Sequence, residues 1–205
     1  MNRRAAAIHR GLGLEYFTVA WNLLEAAVAL AFGAVAGSIA LIGFGLDSLI
    51  EVSSGGVLLW RLRADYDEER RGRVERSALK LVGWSLLLLA AYIAGDSLVS
   101  LVRREAPEKS LPGIALAIAS LIAMPLLARA KRRVASTLGS SALQADSRQT
   151  DICAYLSAVL LLGLLLNAAF RWWWADPAAG LVMVPVIAYE GSKALRGKTC
   201  CQHCG

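Results

Sequence analysis

The sequence predicts an all-α membrane protein with six transmembrane helices. Of its 205 residues, 57% are hydrophobic, whereas a soluble domain is usually about 45–50% apolar. The apolar residues are concentrated in runs of roughly the 20 residues that a helix needs to cross a bilayer. Basic residues lie beside these runs, where they set membrane orientation. The net charge of +6 is therefore interpreted as a topology signal and not as a nucleic-acid-binding surface.

The six apolar runs predict six helices in chain order. The first two are separated by little more than Ala36 and Gly37, which predicts a tight helical hairpin. The charged stretch 63–76 before the third run is interpreted as a solvated loop. The fourth run is the shortest, and Pro125 near its end is expected to kink or terminate the helix. We place the six spans at Leu12–Val35, Ser38–Trp60, Ser77–Val102, Leu111–Leu127, Ser141–Asn167 and Trp172–Leu195.

The fifth and sixth runs carry additional signals at their ends. In the fifth, Arg148 either neutralises Asp146, two residues before it, or Asp151, three residues after it, or extends towards the cytoplasmic interface. The sixth begins at three successive tryptophans, 172–174. Indole side chains are typical of the membrane–water interface, so we expect this segment at the outer surface.

The distribution of basic residues predicts the topology. With a cytoplasmic N-terminus, the segments facing the cytoplasm hold most of the 22 Lys and Arg residues, as the positive-inside rule requires. We therefore expect both termini to be cytoplasmic, with an N-terminal segment 1–11, a transmembrane domain 12–195 and a tail 196–205, in a bacterial plasma membrane. The inside residues are Arg3, Arg4, Arg10, Arg61, Arg63, Arg70, Arg71, Arg73, Arg76, Lys80, Arg129, Lys131, Arg132, Arg133, Lys193, Arg196 and Lys198.

Two carboxylates lie inside the second span, where acidic residues are costly and usually functional. Asp47 and Glu51 are four residues apart, so they share one face of the helix. Gln149 and Cys153 have the same spacing in the fifth span. Two such pairs on facing helices can converge on one cation, and carboxylate, amide oxygen and thiolate together suit a divalent transition metal.

Three motifs resemble the cation diffusion facilitator family over essentially all of 12–195. The segment SIALIGFGLDSLIEVSS, residues 38–54, is similar to the family's second helix. The segment ALQADSRQTDICAYLS, residues 142–157, is similar to its fifth helix, and WADPAAG, residues 174–180, to the start of its sixth. The resemblance implies a cation-efflux-type bundle, with helices one, two, four and five around a site and three and six in support.

The resemblance also implies an activity: proton-coupled export of a divalent metal, zinc, cobalt or cadmium, with no tightly bound cofactor. Its metal ligands would be Asp47, Glu51, Gln149 and Cys153. A second register of the fifth helix makes Ser147 and Asp151 the ligands instead. Family members often form dimers and usually end in a cytosolic metal-binding domain. Because only residues 196–205 follow the last span here, we expect a short form without that domain, and a homodimer stays an open alternative.

Two further groups are candidate metal ligands. Glu25, near the middle of the first span, could extend the central site or relay protons, or could serve packing. The tail carries thiols and an imidazole, which suit soft or borderline metals, at Cys200, Cys201, His203 and Cys204.

A membrane sensor or scaffold and an enzyme are the alternatives to a transporter. A membrane metal sensor or binding scaffold that does not transport is favoured by the unusual Gln149 and Cys153 pair. An enzyme is not expected, because no nucleophile and base are paired and both histidines, His9 and His203, lie outside the spans. The expected partners are therefore membrane lipid and metal ions, with no nucleic acid.

Overall fold

Six helices make up the computed structural model, which describes residues 3–63, 68–104, 107–138 and 141–196. No strand occurs within these ranges. The prediction of an all-α membrane bundle is confirmed. The helices are α1 (Arg3–Ala36), α2 (Ile39–Arg63), α3 (Glu68–Arg103), α4 (Leu111–Leu138), α5 (Ser141–Phe170) and α6 (Ala175–Leu195).

The outer surface of the bundle is apolar, as lipid contact requires. Large side chains such as Leu88, Val102 and Phe170 are mostly exposed, although exposed apolar surface of this extent is rare on soluble monomers. In five helices a stretch of the described residues is long and apolar enough to cross a membrane. These stretches are Ala6–Ala36, Gly83–Arg103, Leu111–Leu138, Asp146–Phe170 and Ala175–Leu195. The chain is therefore an integral membrane protein.

The helices pack as a ring of four with a pair beside it. Helix α1 packs on α2 and α4, and α4 packs on α5, while α2 and α5 also touch each other. Helices α3 and α6 pack tightly on one another and cover α2 and α5. The apolar core includes Phe44 of α2, Ile93 of α3, Met124 of α4 and Met183 of α6.

The turn between α1 and α2 and the start of α2 are fixed by short-range chemistry. Gly37 has φ = +65°, a conformation that a glycine adopts without steric cost, which confirms the expected hairpin. Asp176 of α6 accepts hydrogen bonds from Ser38 Oγ at 2.5 Å and from the backbone N–H groups of Ile39 at 2.9 Å and Ala40 at 3.4 Å. A carboxylate at a helix N-terminus satisfies orphan N–H groups and the helix dipole.

Two expectations about helix boundaries need correction. Of the two effects expected of Pro125, termination is excluded, since Pro125 lies inside α4, which continues to Leu138. Packing on α1 and α5 supports the helix there. The stretch 63–76 is not a loop throughout, since α3 begins at Glu68. Glu and Arg are good helix formers, so this charged segment extends the helix beyond its apolar part.

Candidate cation site

A polar strip runs along the buried face of α1. Glu15, Thr18, Asn22 and Glu25 are all buried and recur every three or four residues, the spacing of one helix face. Helices α2, α4 and α5 contribute further buried polar side chains opposite this strip. They are Asp47, Ser48, Glu51, Ser120, Lys131, Ser147, Thr150, Cys153 and Ser157. The four-helix ring therefore encloses a polar interior behind an apolar exterior.

Three carboxylates lie at the centre of this interior. Glu25 is 0% exposed, Asp47 2% and Glu51 8%. Asp47 feels the negative charge of Glu25, and Glu51 feels the charges of Asp47 and Glu25. Like charges out of water repel strongly, so this cluster favours bound protons or a bound cation.

Helices α1, α2 and α5 meet at Glu51. Asn22 of α1 donates from Nδ2 to Glu51 Oε2 at 2.8 Å. The thiol of Cys153 on α5 is fully buried, is not in a disulfide and lies near enough to the same carboxylate to feel its charge. Glu51 and Cys153 are therefore neighbours, and Asp47 is close enough for its charge to act on both. As placed, these three side chains do not by themselves form a group that could hold a metal ion.

Glu25 is held by donors from three helices. Trp21 Nε1 donates to its Oε1 at 2.6 Å, Ser48 Oγ of α2 donates to Oε2 at 3.2 Å, and Ser120 of α4 donates to Oε1. The sequence identified Glu25 as a candidate but gave no reason to expect these partners. These hydrogen bonds hold the Glu25 side chain in a fixed position.

The remaining predicted ligands lie at the margin of this cluster or beyond it. Gln149 is half-buried. Asp151 forms an ion pair with Arg132 in which the two side chains are 43% and 38% exposed. Ser147 is buried and donates to the backbone oxygen of Gln144 at 2.7 Å.

The usual metal ligands His, Cys, Asp and Glu do not by themselves form a metal site within the described residues. Within the described ranges, no group of three or more His, Cys, Asp or Glu side chains could hold a metal ion. The four candidate ligands of the tail, Cys200, Cys201, His203 and Cys204, lie outside the described residues. Any cation site in the described part of the chain therefore needs another kind of donor.

A second charge cluster, which sequence reasoning missed, lies nearer the start of α1. Lys131 of α4 is fully buried, with Nζ 3.2 Å from Glu15 Oε1, and it also pairs with Asp146 of α5. From the sequence alone, Lys131 counts only among the cytoplasm-facing basic residues, and Asp146 is one of two acids that Arg148 could neutralise. Lys131 follows Met124, Leu127 and Ala128 on the buried face of α4, and that spacing was the available signal.

Comparison with known proteins agrees with this architecture. The model of the cation efflux transmembrane domain matches residues 16–198. An uncharacterized transporter of Synechocystis is 28% identical over 171 residues, 80% of this chain and 54% of that protein. Transmembrane protein 163 of Xenopus laevis is 25% identical over 187 residues, 91% of this chain and 66% of that protein.

A third relative is an uncharacterized transporter of Methanocaldococcus jannaschii, 27% identical over 177 residues, which are 83% of this chain and 62% of the relative. The chain thus spans between 54% and 66% of the length of these curated relatives. The family match covers α1 from residue 16 onwards and all of α2 to α6. It includes the three central acids, Lys131 and Asp146, but not Glu15. The chain belongs to the cation efflux family through its transmembrane domain.

Proposed function

We propose that this protein transports a divalent transition-metal cation out of the cytoplasm in exchange for protons. The cation would bind between α2 and α5 at Asp47, Glu51 and Cys153, with Gln149 as the fourth ligand that the family resemblance assigns. Zinc, cobalt and cadmium are the substrates we favour, because carboxylate, amide and thiolate donors suit such metals. Membership of a cation efflux family supports transport and not catalysis.

The observation that carries this proposal is the buried cluster of Glu25, Asp47 and Glu51 in a bundle with a lipid-facing exterior. Ionisable groups inside a membrane are costly, and they usually mark ion pathways. A divalent cation offsets their mutual repulsion without requiring any of them to leave the interior.

Proton exchange follows from the chemistry of the candidate ligands. Metal binds to deprotonated carboxylates and thiolates, so binding releases protons and protonation releases metal. Asp47, Glu51 and Cys153 can take part in this competition, whereas the amide of Gln149 cannot. Protons entering from outside would thus promote release on that side, and rocking of the packed helices would alternate access.

Several finer points belong to the same proposal. We place the protein in a bacterial plasma membrane with both termini cytoplasmic, as the distribution of basic residues favours. The thiols and imidazole at Cys200, Cys201, His203 and Cys204 would capture metal near the inner entrance. A homodimer is the assembly we would test first, since most soluble and many membrane oligomers are symmetric dimers.

Metal-driven proton flux in proteoliposomes tests this proposal. Zinc, cobalt and cadmium would be added outside vesicles that contain a pH-sensitive dye, with Asp47→Ala as the site variant. Asp96→Ala is the matched control, because Asp96 is a half-buried acid of α3 away from the cluster. We expect flux in the wild type and the Asp96 variant and none in the Asp47 variant. Equal flux in all three proteins would contradict the proposal.

The alternative function is a membrane metal sensor or scaffold that binds without transporting. The half-buried position of Gln149 favours it, as does the lack of three conventional ligands around one point in the described residues. Stoichiometric metal binding that needs Asp47, without flux for any metal, would select this alternative.

A further inference from the structure

Asn22 links α1 to the candidate cation site. Its side chain is 1% exposed, and its Nδ2 group donates to Glu51 Oε2 at 2.8 Å across 29 positions of sequence. The orientation of the amide follows from charge, because a carboxylate accepts hydrogen bonds and cannot donate them. Turning the amide over would set two acceptor oxygens against each other.

This orientation leaves two buried oxygens without donors. Within the described residues, neither Asn22 Oδ1 nor Glu51 Oε1 has a hydrogen-bond partner. A buried acceptor without a partner is costly, and native proteins contain few of them. Here two occur on a single hydrogen-bonded pair of side chains, beside the thiol of Cys153. A cation is the kind of group that satisfies both oxygens at once.

The contrast with Glu25 excludes a general shortage of donors in this interior. One turn along α1 from Asn22, Glu25 Oε1 accepts hydrogen bonds from Trp21 and Ser120. Glu25 Oε2 lies 3.2 Å from the hydroxyl of Ser48, which shares its one proton between this oxygen and the backbone oxygen of Phe44 at 3.1 Å. Hydrogen-bond donors therefore surround the carboxylate of Glu25, whereas Glu51 Oε1 has none among the described residues. This difference suits Glu25 to act as a fixed counter-charge and leaves oxygens of Glu51 and Asn22 available as ligands.

We propose that Asn22 Oδ1 is a direct ligand of the divalent transition-metal cation, together with Asp47, Glu51 and Cys153. Helix α1 then supplies the amide oxygen that the family resemblance assigned to Gln149 of α5. This inference rests on the cation binding proposed above. It makes the site a three-helix site in which two carboxylates, one amide and one thiolate come from α1, α2 and α5.

Metal binding by the purified full-length protein tests the inference. Cadmium affinity would be measured by calorimetry, and cobalt spectra would report thiolate coordination by Cys153. Asn22→Leu removes the oxygen and the N–H group but keeps the branching and the number of side-chain heavy atoms. Asn22→Asp keeps an oxygen donor but loses the N–H group. Asn167→Leu is the matched control, because Asn167 is also buried and donates to Pro107 O at 2.9 Å. Gln149→Leu measures the competing assignment.

We expect Asn22→Leu to weaken cadmium binding at least about tenfold, the scale on which metal sites respond to lost partners. The Asn22→Asp variant should bind cadmium as tightly as the wild type or more tightly, and Asn167→Leu should bind it as the wild type does. The loss of cadmium affinity in Gln149→Leu should be smaller than that in Asn22→Leu. Equal weakening in both Asn22 variants would mean that Asn22 only positions Glu51, and no weakening in either would exclude it as a ligand.

A different result would show that the proposed cation binding itself is wrong. A wild-type protein that binds neither cadmium nor cobalt overturns the proposed cation site itself, and the Asn22 assignment with it. Correct folding of each variant would be checked by size-exclusion chromatography. If Asn22→Leu fails that check, the comparison of Asn22→Asp with wild type decides alone, since a ligand role predicts retained binding and a positioning role predicts loss.

Discussion

Replacing Lys131 with methionine should destabilise the protein more than any surface charge change. Methionine has similar length but no charge, so Lys131→Met leaves Glu15 and Asp146 without their shared cation. Lys131 and Glu15 are both 0% exposed, and Asp146 is 15% exposed. Carboxylates buried to this degree cannot replace the lost ion pair with hydrogen bonds to water.

The magnitude follows from the geometry. At the 3.2 Å that separates Lys131 Nζ from Glu15 Oε1, the Coulomb energy is about 5 kcal/mol for an effective dielectric constant of about 20. Removing one partner of a buried ion pair costs about 3–5 kcal/mol, because the remaining charge stays desolvated. We therefore expect a loss of about 3–5 kcal/mol in the free energy of unfolding.

Arg132→Met is the matched control, one residue along the same helix. It breaks the pair with Asp151, whose side chains are 38% and 43% exposed, and exposed pairs contribute about 0–1 kcal/mol. Unfolding in mixed detergent micelles, followed by circular dichroism, measures both losses. Similar losses in the two variants would refute the buried-pair reasoning. A triple variant that adds Glu15→Gln and Asp146→Asn should recover most of the stability, because it removes the unpaired charges as well.

Three further predictions concern other parts of the molecule. Cys153→Ser should weaken cadmium binding more than manganese binding in calorimetry, because a thiolate prefers softer metals than a hydroxyl does; equal losses would place the thiol outside the site. Asp176→Ala should lower unfolding stability by about 1.5–3 kcal/mol through its lost charge-assisted bonds, and an unchanged denaturation curve would contradict the capping role. Gly163→Ala places a Cβ 2.6 Å from that of Ala179 and should lower the free energy of unfolding by about 1–3 kcal/mol. In Gly95→Ala the added Cβ has, apart from its own helix backbone, no neighbouring atom within 4 Å among the described residues, so this control should raise the free energy of unfolding by about 0.5–1 kcal/mol.

Local spacing predicted the parts of the molecule that depend on local chemistry. The apolar runs located the helices, since span length is set by bilayer thickness. The spacing of Asp47 and Glu51 placed them on one face, and both are buried as neighbouring charges. The hairpin at Gly37 also followed from the shortness of the connection.

Features that depend on contacts between helices were not predictable in this way. Arg148 is near Asp146 in sequence, but Asp146 pairs with Lys131 from another helix. The choice among several basic residues depends on how α4 and α5 are rotated about their axes, which spacing alone leaves open. Pro125 illustrates the same limit, because packing on neighbouring helices, and not local propensity, decides whether α4 continues.

The two charge clusters of the interior differ in how far their negative charge is compensated. Lys131 supplies one positive charge against the two carboxylates of Glu15 and Asp146, whereas no ion pair within the described residues involves Glu25, Asp47 or Glu51. The effect of Lys131 reaches as far as Glu51, which also feels the charge of Asp146. Lys131 is the one buried lysine among the described residues. Because it pairs with Glu15 and Asp146, it does not form an ion pair with the three central acids, and this lack of a fixed counter-charge is what the proposed cation binding requires.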